Sequence, residues 1–220
     1  MKRLMMIIGL SFIINALYSQ KEQEILNQAL QSYRKELPKL ENQAFKELLK
    51  LDKSKGNPGI HKFNDYCFVI IPMFKLQEKY VQYHIGDTFA NYIDFQKARN
   101  DFEAFIFKDT IFIGSLHFSD YDNSCFLVND VNRYNKLAFN GQYNLAKQII
   151  NFKPDIVFYP ECPMFLCFLK EGKLYIGRGV NQLQTLDYIL PVDEFIKKNP
   201  SFIKELKDNR NIGLKHYKKF

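Results

Sequence analysis

The chain has 220 residues, 46% of them hydrophobic, with 21 Phe and 13 Tyr. A composition this rich in aromatics excludes a disordered chain and supplies apolar surface for a core. The formal charge of +7 rests mainly on Lys, a hydrated point charge without the planar fork by which Arg grips phosphate, so nucleic-acid binding is not expected and the basicity reads as solvated surface.

Lys2 and Arg3 give a positive start, and the apolar run that follows from Leu4 to Leu17 is broken only by Gly9, Ser11 and Asn15. Ser19 then offers a small residue for cleavage, which completes the order of a secretory signal peptide. As a helix, about fourteen residues reach about 21 Å, short of a hydrocarbon core of about 30 Å. The expectation is therefore a signal peptide over 1–19, cut between Ser19 and Gln20, and a single α+β domain over 20–220. The product is exported, periplasmic or extracellular, with no stable membrane span after cleavage. Retention as an uncleaved anchor is the alternative that the charged stretch Lys21-Glu22-Gln23-Glu24 also permits.

The next segment, 21–53, places Ile25, Leu26, Ala29, Leu30, Tyr33 and Leu37 on one helix face, and Leu40, Ala44, Leu48 and Leu51 extend the stripe. Pro38 lies between the two sets, and proline removes a helix hydrogen bond and crowds the preceding turn. A kink, or two helices meeting there, is expected. Gly56-Asn57-Pro58-Gly59 closes the region.

From Tyr66 the texture changes to short β-branched and aromatic runs. Residues 66–71 predict a buried strand stopped by Pro72, and Val81, Tyr83 and Ile85 alternate with Gln82 and His84 as a second strand with one wetter face. Phe105 and Phe107 before Lys108-Asp109, with 111–116 after, predict a hairpin. Further strands fit 125–128 and 156–159, with a helix at 137–152 between them that Gly141 delays at its start. The clearest hairpin joins 165–169 to 174–176 across Glu171-Gly172. Beyond Gly179 the pattern turns helical, in short segments opened by Pro191 and Pro200. Together these elements predict a central, largely antiparallel sheet with N-terminal helices and short C-terminal helices, covered on one face.

Export would permit disulfides, and Cys67, Cys125, Cys162 and Cys167 allow three pairings that sequence does not choose between. Cys67, Cys125 and Cys167 lie in apolar runs and read as buried filler. Cys162, between Glu161 and Pro163 at a chain turn, stands apart.

Three side chains are candidates for chemistry: Cys162, His117 and His84. Ser115, His117 and Ser119 project from one strand face beside Asp120 and Asp122. Their spacing of about 6 to 7 Å along the backbone is too wide for a nucleophile–base pair, and no Gly-x-Ser-x-Gly elbow is present. A half-buried histidine beside a polar loop is the preferred reading. Cys162 next to His117 or His84 would form a minimal thiol–base pair, against which stands a disulfide between Cys162 and Cys167, or a free thiol under a turn. No histidine pair has metal-site spacing, so neither a metal nor a cofactor is expected, and Gly177-Arg178-Gly179 reads as a turn rather than a phosphate loop. The resulting expectation is an exported cell-envelope domain that binds an envelope protein or a small ligand without catalysis. The alternatives are an envelope hydrolase using Cys162 or His117, and a neutraliser of a toxin.

Overall fold

A computed structural model of the chain describes residues 2–54, 62–76, 93–119, 124–128, 133–160, 166–178 and 186–202. The first element is one helix, α1 (Lys2–Ser54), which runs through Pro38 without ending. Of the two outcomes expected there, this excludes two separate helices. Pro38 is exposed, so the carbonyl it leaves unbonded faces water, while the opposite face is held to the sheet on both sides of it. Leu26, Ala29, Ala44 and Leu48 are buried, which follows the predicted stripe. Among the described residues no helix is long and apolar enough to cross a membrane.

After a 3-10 turn (Phe63–Asp65) come β1 (Tyr66–Leu76), β2 (Ile93–Lys108), β3 (Ile111–Ser119) and β4 (Ser124–Val128), each antiparallel to the one before. Helix α2 (Arg133–Phe152) then leads to a second antiparallel run of β5 (Ile156–Pro160), β6 (Leu166–Lys170), β7 (Lys173–Arg178) and β8 (Tyr188–Pro191), followed by α3 (Val192–Lys198). The eight strands form one sheet in the order β4-β3-β2-β1-β5-β6-β7-β8. Its middle pair, β1 and β5, is parallel. The class is thus α+β with a largely antiparallel sheet, as the sequence predicts.

Several details differ from the expectation. Strand β1 continues past Pro72, because the register with β2 shifts there and the ladder with β5 begins only at Met73. Helix α2 starts at Arg133 and carries Gly141 inside it, buried. Strand β8 lies in a stretch expected to be helical. The predicted strand around Val81 and the C-terminal segment beyond Phe202 lie outside the described residues.

Both hairpins form with tight turns. Asp109 and Thr110 have φ of 48° and 70°, and Glu171 and Gly172 have 51° and 70°, the left-handed pair that matches strand twist in a two-residue turn. Gly177, by contrast, is a strand residue. A Cβ there would stand 2.8 Å from both Phe168 Cε2 and Leu186 Cδ1, so space rather than turn geometry demands glycine.

Strand alternation sends side chains to two covered faces, not to one as expected. On the first face, residues 25–33 of α1 pack with α3 against Ile156, Phe158, Leu169 and Ile176, and residues 37–48 of α1 pack against Ile70, Ala104, Ile106 and Leu116. On the second, Ala146 and Ile149 of α2 cover Ile71, Phe105, Val157 and Phe168. Phe139 and Tyr143 of α2 meet Phe112 of β3, whereas Phe152 meets Phe168 of β6 and Tyr175 of β7. Helix α2 therefore crosses the strands from one half of the sheet to the other.

Candidate functional site

Burial of a polar side chain is unfavourable unless its hydrogen bonds are made inside the protein, so buried polar groups mark places where the fold has a reason for them. Among the described residues the buried polar side chains are Glu103, Ser115 and Gln142. All three belong to one cluster, on the α2 face of the sheet.

The cluster is assembled by cross-strand register. Glu103 of β2 lies directly opposite His117 of β3, so both project to the same face as neighbours. Ser115 follows two residues away on β3, Gln142 descends from the middle of α2, and Tyr159 comes from the end of β5. His117 Nε2 is 3.0 Å from Glu103 Oε1. The Tyr159 hydroxyl donates to Glu103 Oε2 at 2.9 Å. The Gln142 amide nitrogen donates to Glu103 Oε1 at 3.4 Å and stands 3.1 Å from His117 Nε2, while its carbonyl oxygen accepts from Ser115 Oγ at 2.7 Å.

Nε2 of His117 thus stands between an acceptor, Glu103 Oε1 at 3.0 Å, and a donor, the Gln142 amide nitrogen at 3.1 Å, and its role follows the tautomer: with hydrogen it donates to Glu103, without it, it accepts from Gln142. Desolvation, and after it the Glu103 charge and hydrogen bond, hold the Tyr159 hydroxyl well above the ordinary tyrosine range. Tyr159 is accordingly a donor at any physiological pH. The side chain of His117 is 31% exposed against 6% for Glu103, so of this pair it is the imidazole that meets solvent.

The sequence-predicted residues divide as follows. Ser115 and His117 do share a face, but the Ser115 hydroxyl is fully buried and bonded to Gln142, not to the imidazole. Cys162 and His84 lie outside the described residues, as does the side chain of Ser119. Cys167 is a free, fully buried thiol, the core filler its apolar run predicts, and desolvation pushes it well up and makes it inert, so the alternative of a bridge from it to Cys162 does not hold. Cys67 is exposed, a correction to its reading as core filler.

Glu103, Gln142 and Tyr159 are the members that sequence reasoning passed over. A signal for Glu103 was present: an acidic residue between Phe102 and Ala104, in a strand with apolar residues on both sides, is out of place unless partners await it. Gln142 and Tyr159 carry no comparable mark, since helices and strand ends hold such residues routinely. Among the described residues no group of three or more His, Cys, Asp or Glu is placed to hold a metal ion.

The position of the cluster follows from topology. Strands β1 and β5 run parallel, and the chain leaves β1 towards β2 and β5 towards β6, on opposite sides. In open sheets, such a divergence at the carboxyl ends of parallel strands is where crevices for ligands form. Tyr159 stands at that end of β5. Comparison with protein-family models, with curated proteins and with solved structures finds no match to this chain.

Proposed function

We propose that this chain is an exported cell-envelope domain that binds an envelope protein or a small ligand without catalysis, using the His117 end of the buried cluster as its polar contact. The observation that carries the reading is the commitment of the Ser115 hydroxyl: it is fully buried and donates to Gln142 at 2.7 Å. A serine in that state cannot be approached by a substrate, and its proton is directed away from the imidazole. What remains is a cross-bonded set of Glu103, Gln142 and Tyr159 holding His117 in a fixed orientation. Such preorganisation favours recognition, because little side-chain freedom is left to lose on binding. The leading basic and apolar segment of 1–19 supports export.

A second reading is favoured by the 3.0 Å contact between Glu103 and His117. A carboxylate that orients an imidazole is the base half of a hydrolase. In that case the chain is an envelope hydrolase using His117, with Cys162 as the thiol the base would serve.

Two measurements on the full chain separate these. Fractionation of expressing cells should recover a product starting at Gln20 outside the cytosol. Full-length protein in the cytosol overturns export. Treatment of that product with an electrophilic thiol probe, followed by peptide mapping, should give the same Cys162 labelling in wild type and in His117→Ala. Labelling of Cys162 that disappears in His117→Ala replaces the binding reading with the hydrolase.

A further inference from the structure

The eight strands are two four-stranded meanders joined at one place. Within each meander the ladders run along most of the shorter strand. Between them, the described residues pair β1 with β5 at Met73 with Tyr159 and at Phe74 with Pro160. Pro160 has no N–H to give, and Pro72 removes another donor just before this ladder begins. Neither proline can therefore donate a backbone hydrogen bond here.

Other groups span the gap. The Tyr159 hydroxyl, from the β5 half, reaches across to Glu103 Oε2 on β2 of the other half at 2.9 Å. Glu103 is fixed in turn by His117 at 3.0 Å and by Gln142 at 3.4 Å. On the opposite face the Tyr33 hydroxyl of α1 donates to the carbonyl oxygen of Ile70 on β1 at 3.2 Å. Burial raises the Tyr33 hydroxyl, with the Glu41 charge adding to it, so this group also stays a donor. Directly beneath the clasp, Ile71 of one half and Val157 of the other are buried side by side in one cluster under α2.

We propose that the β1–β5 seam is the conformational joint of this fold, and that the Tyr159–Glu103 hydrogen bond is the clasp that keeps it shut. When the clasp opens, the two half-sheets part along the seam before either meander unravels, because every ladder inside the meanders pairs more of the described residues than the seam does. Sub-global opening along the boundary of two supersecondary units is the form that native-state openings take. The inference is independent of the binding reading, since the joint is measured with no ligand present.

The test is amide hydrogen exchange on the intact protein under native conditions. In Tyr159→Phe, which removes the clasp and leaves His117 and Gln142 on Glu103, amides of 69–74 and 156–159 should exchange about tenfold faster, the order expected for a lost hydrogen bond to a charged group. The β2–β3 and β6–β7 ladders should keep their wild-type rates. In Glu103→Gln, where the side chain still offers Tyr159 an acceptor, seam exchange should stay closer to wild type than in Tyr159→Phe. Unchanged seam exchange in Tyr159→Phe, or an equal rise in every strand, overturns the joint. Should Tyr159→Phe fail to fold, Tyr33→Phe removes a bond to the same strand from the other face and carries the same localised expectation. A uniform or absent response there overturns the proposal equally.

Discussion

Ser115 and Gln142 allow the buried cluster to be tested by a double-mutant cycle. Ser115 is 0% exposed and Gln142 4%, and the hydroxyl donates to the amide oxygen at 2.7 Å. Ser115→Ala leaves that oxygen unsatisfied in the interior and should destabilise by about 1 to 3 kcal/mol. Gln142→Leu strands the hydroxyl instead and also takes one donor from Glu103, so its cost should be higher, about 2 to 4 kcal/mol. In the double variant the Ser115–Gln142 contact is absent from both sides and neither partner is left waiting. Its loss should fall short of the sum of the singles by about 1 to 2 kcal/mol. Urea denaturation at neutral pH measures all four proteins, and a thermal shift of about 2 to 4 °C per kcal/mol in a chain of this size gives a second reading. Singles that add within about 0.5 kcal/mol, or a neutral Ser115→Ala, would refute the claim that these side chains form one interlocked unit.

Gly172 and Gly177 should fail on substitution for different reasons. Gly172→Ala meets φ of +70° and the mobile end of Gln23, which should cost about 1 kcal/mol of strain, whereas Gly177→Ala pushes into the buried Phe168 ring and should cost about 1 to 3 kcal/mol by overpacking; equal losses in denaturant melts would contradict this. Raised hydroxyls on Tyr33 and Tyr159 mean that above about pH 10 the unfolded chain gives up protons that the folded chain keeps. Stability should therefore be flat up to that point and fall beyond it, with the fall shallower in Tyr33→Phe; an identical alkaline limb in the variant counts against the assignment. Under native conditions an alkylating reagent should modify Cys67, slowly because partial desolvation and then the Glu41 charge raise its thiol, and should leave Cys167 untouched until the chain unfolds. Peptide mapping by mass spectrometry reads both sites.

The sequence was most informative where one local rule acts alone. The α1 stripe from Leu26 to Leu48 followed from helical periodicity, and the turn at Glu171-Gly172 from the requirement for left-handed backbone. Errors arose where a distant partner overrides the local rule. Pro38 stays within a helix because the packed face on either side of it holds the segment in register. Pro72 does not end β1, because the neighbouring ladder is absent where its N–H would have been needed. Cys67 sits in an apolar run, yet its alternation carries it outward near the strand end. The short edge strand β8 has no buried face to advertise it, its residues being half-buried or exposed.

The candidate site was half legible for a related reason. His117 could be singled out, since a histidine within a strand is unusual chemistry for a core. Its partners come from β2, α2 and β5, at sequence separations of 14 to 56 residues among the bonded pairs, and no spacing rule links them. Only the register that sets Glu103 opposite His117, and the crosswise path of α2, bring them together.

That convergence also explains why the fold tolerates a buried carboxylate at all. An unpaired charge in this position would be strongly unfavourable, and an apolar side chain of similar volume would pack at least as well. An apolar replacement, however, would be content with several alignments of the two half-sheets, since oily surfaces slide past one another at little cost. Glu103 accepts only the alignment in which Tyr159 meets one of its oxygens while His117 and Gln142 meet the other. With Pro72 and Pro160 withholding backbone donors where β1 meets β5, the backbone does not fix that alignment by itself. The polar cluster does, at the one end of the seam where the parallel strands diverge and where His117 opens to solvent. A ligand contacting His117 would thus act on the same hydrogen bonds that set the geometry of the sheet.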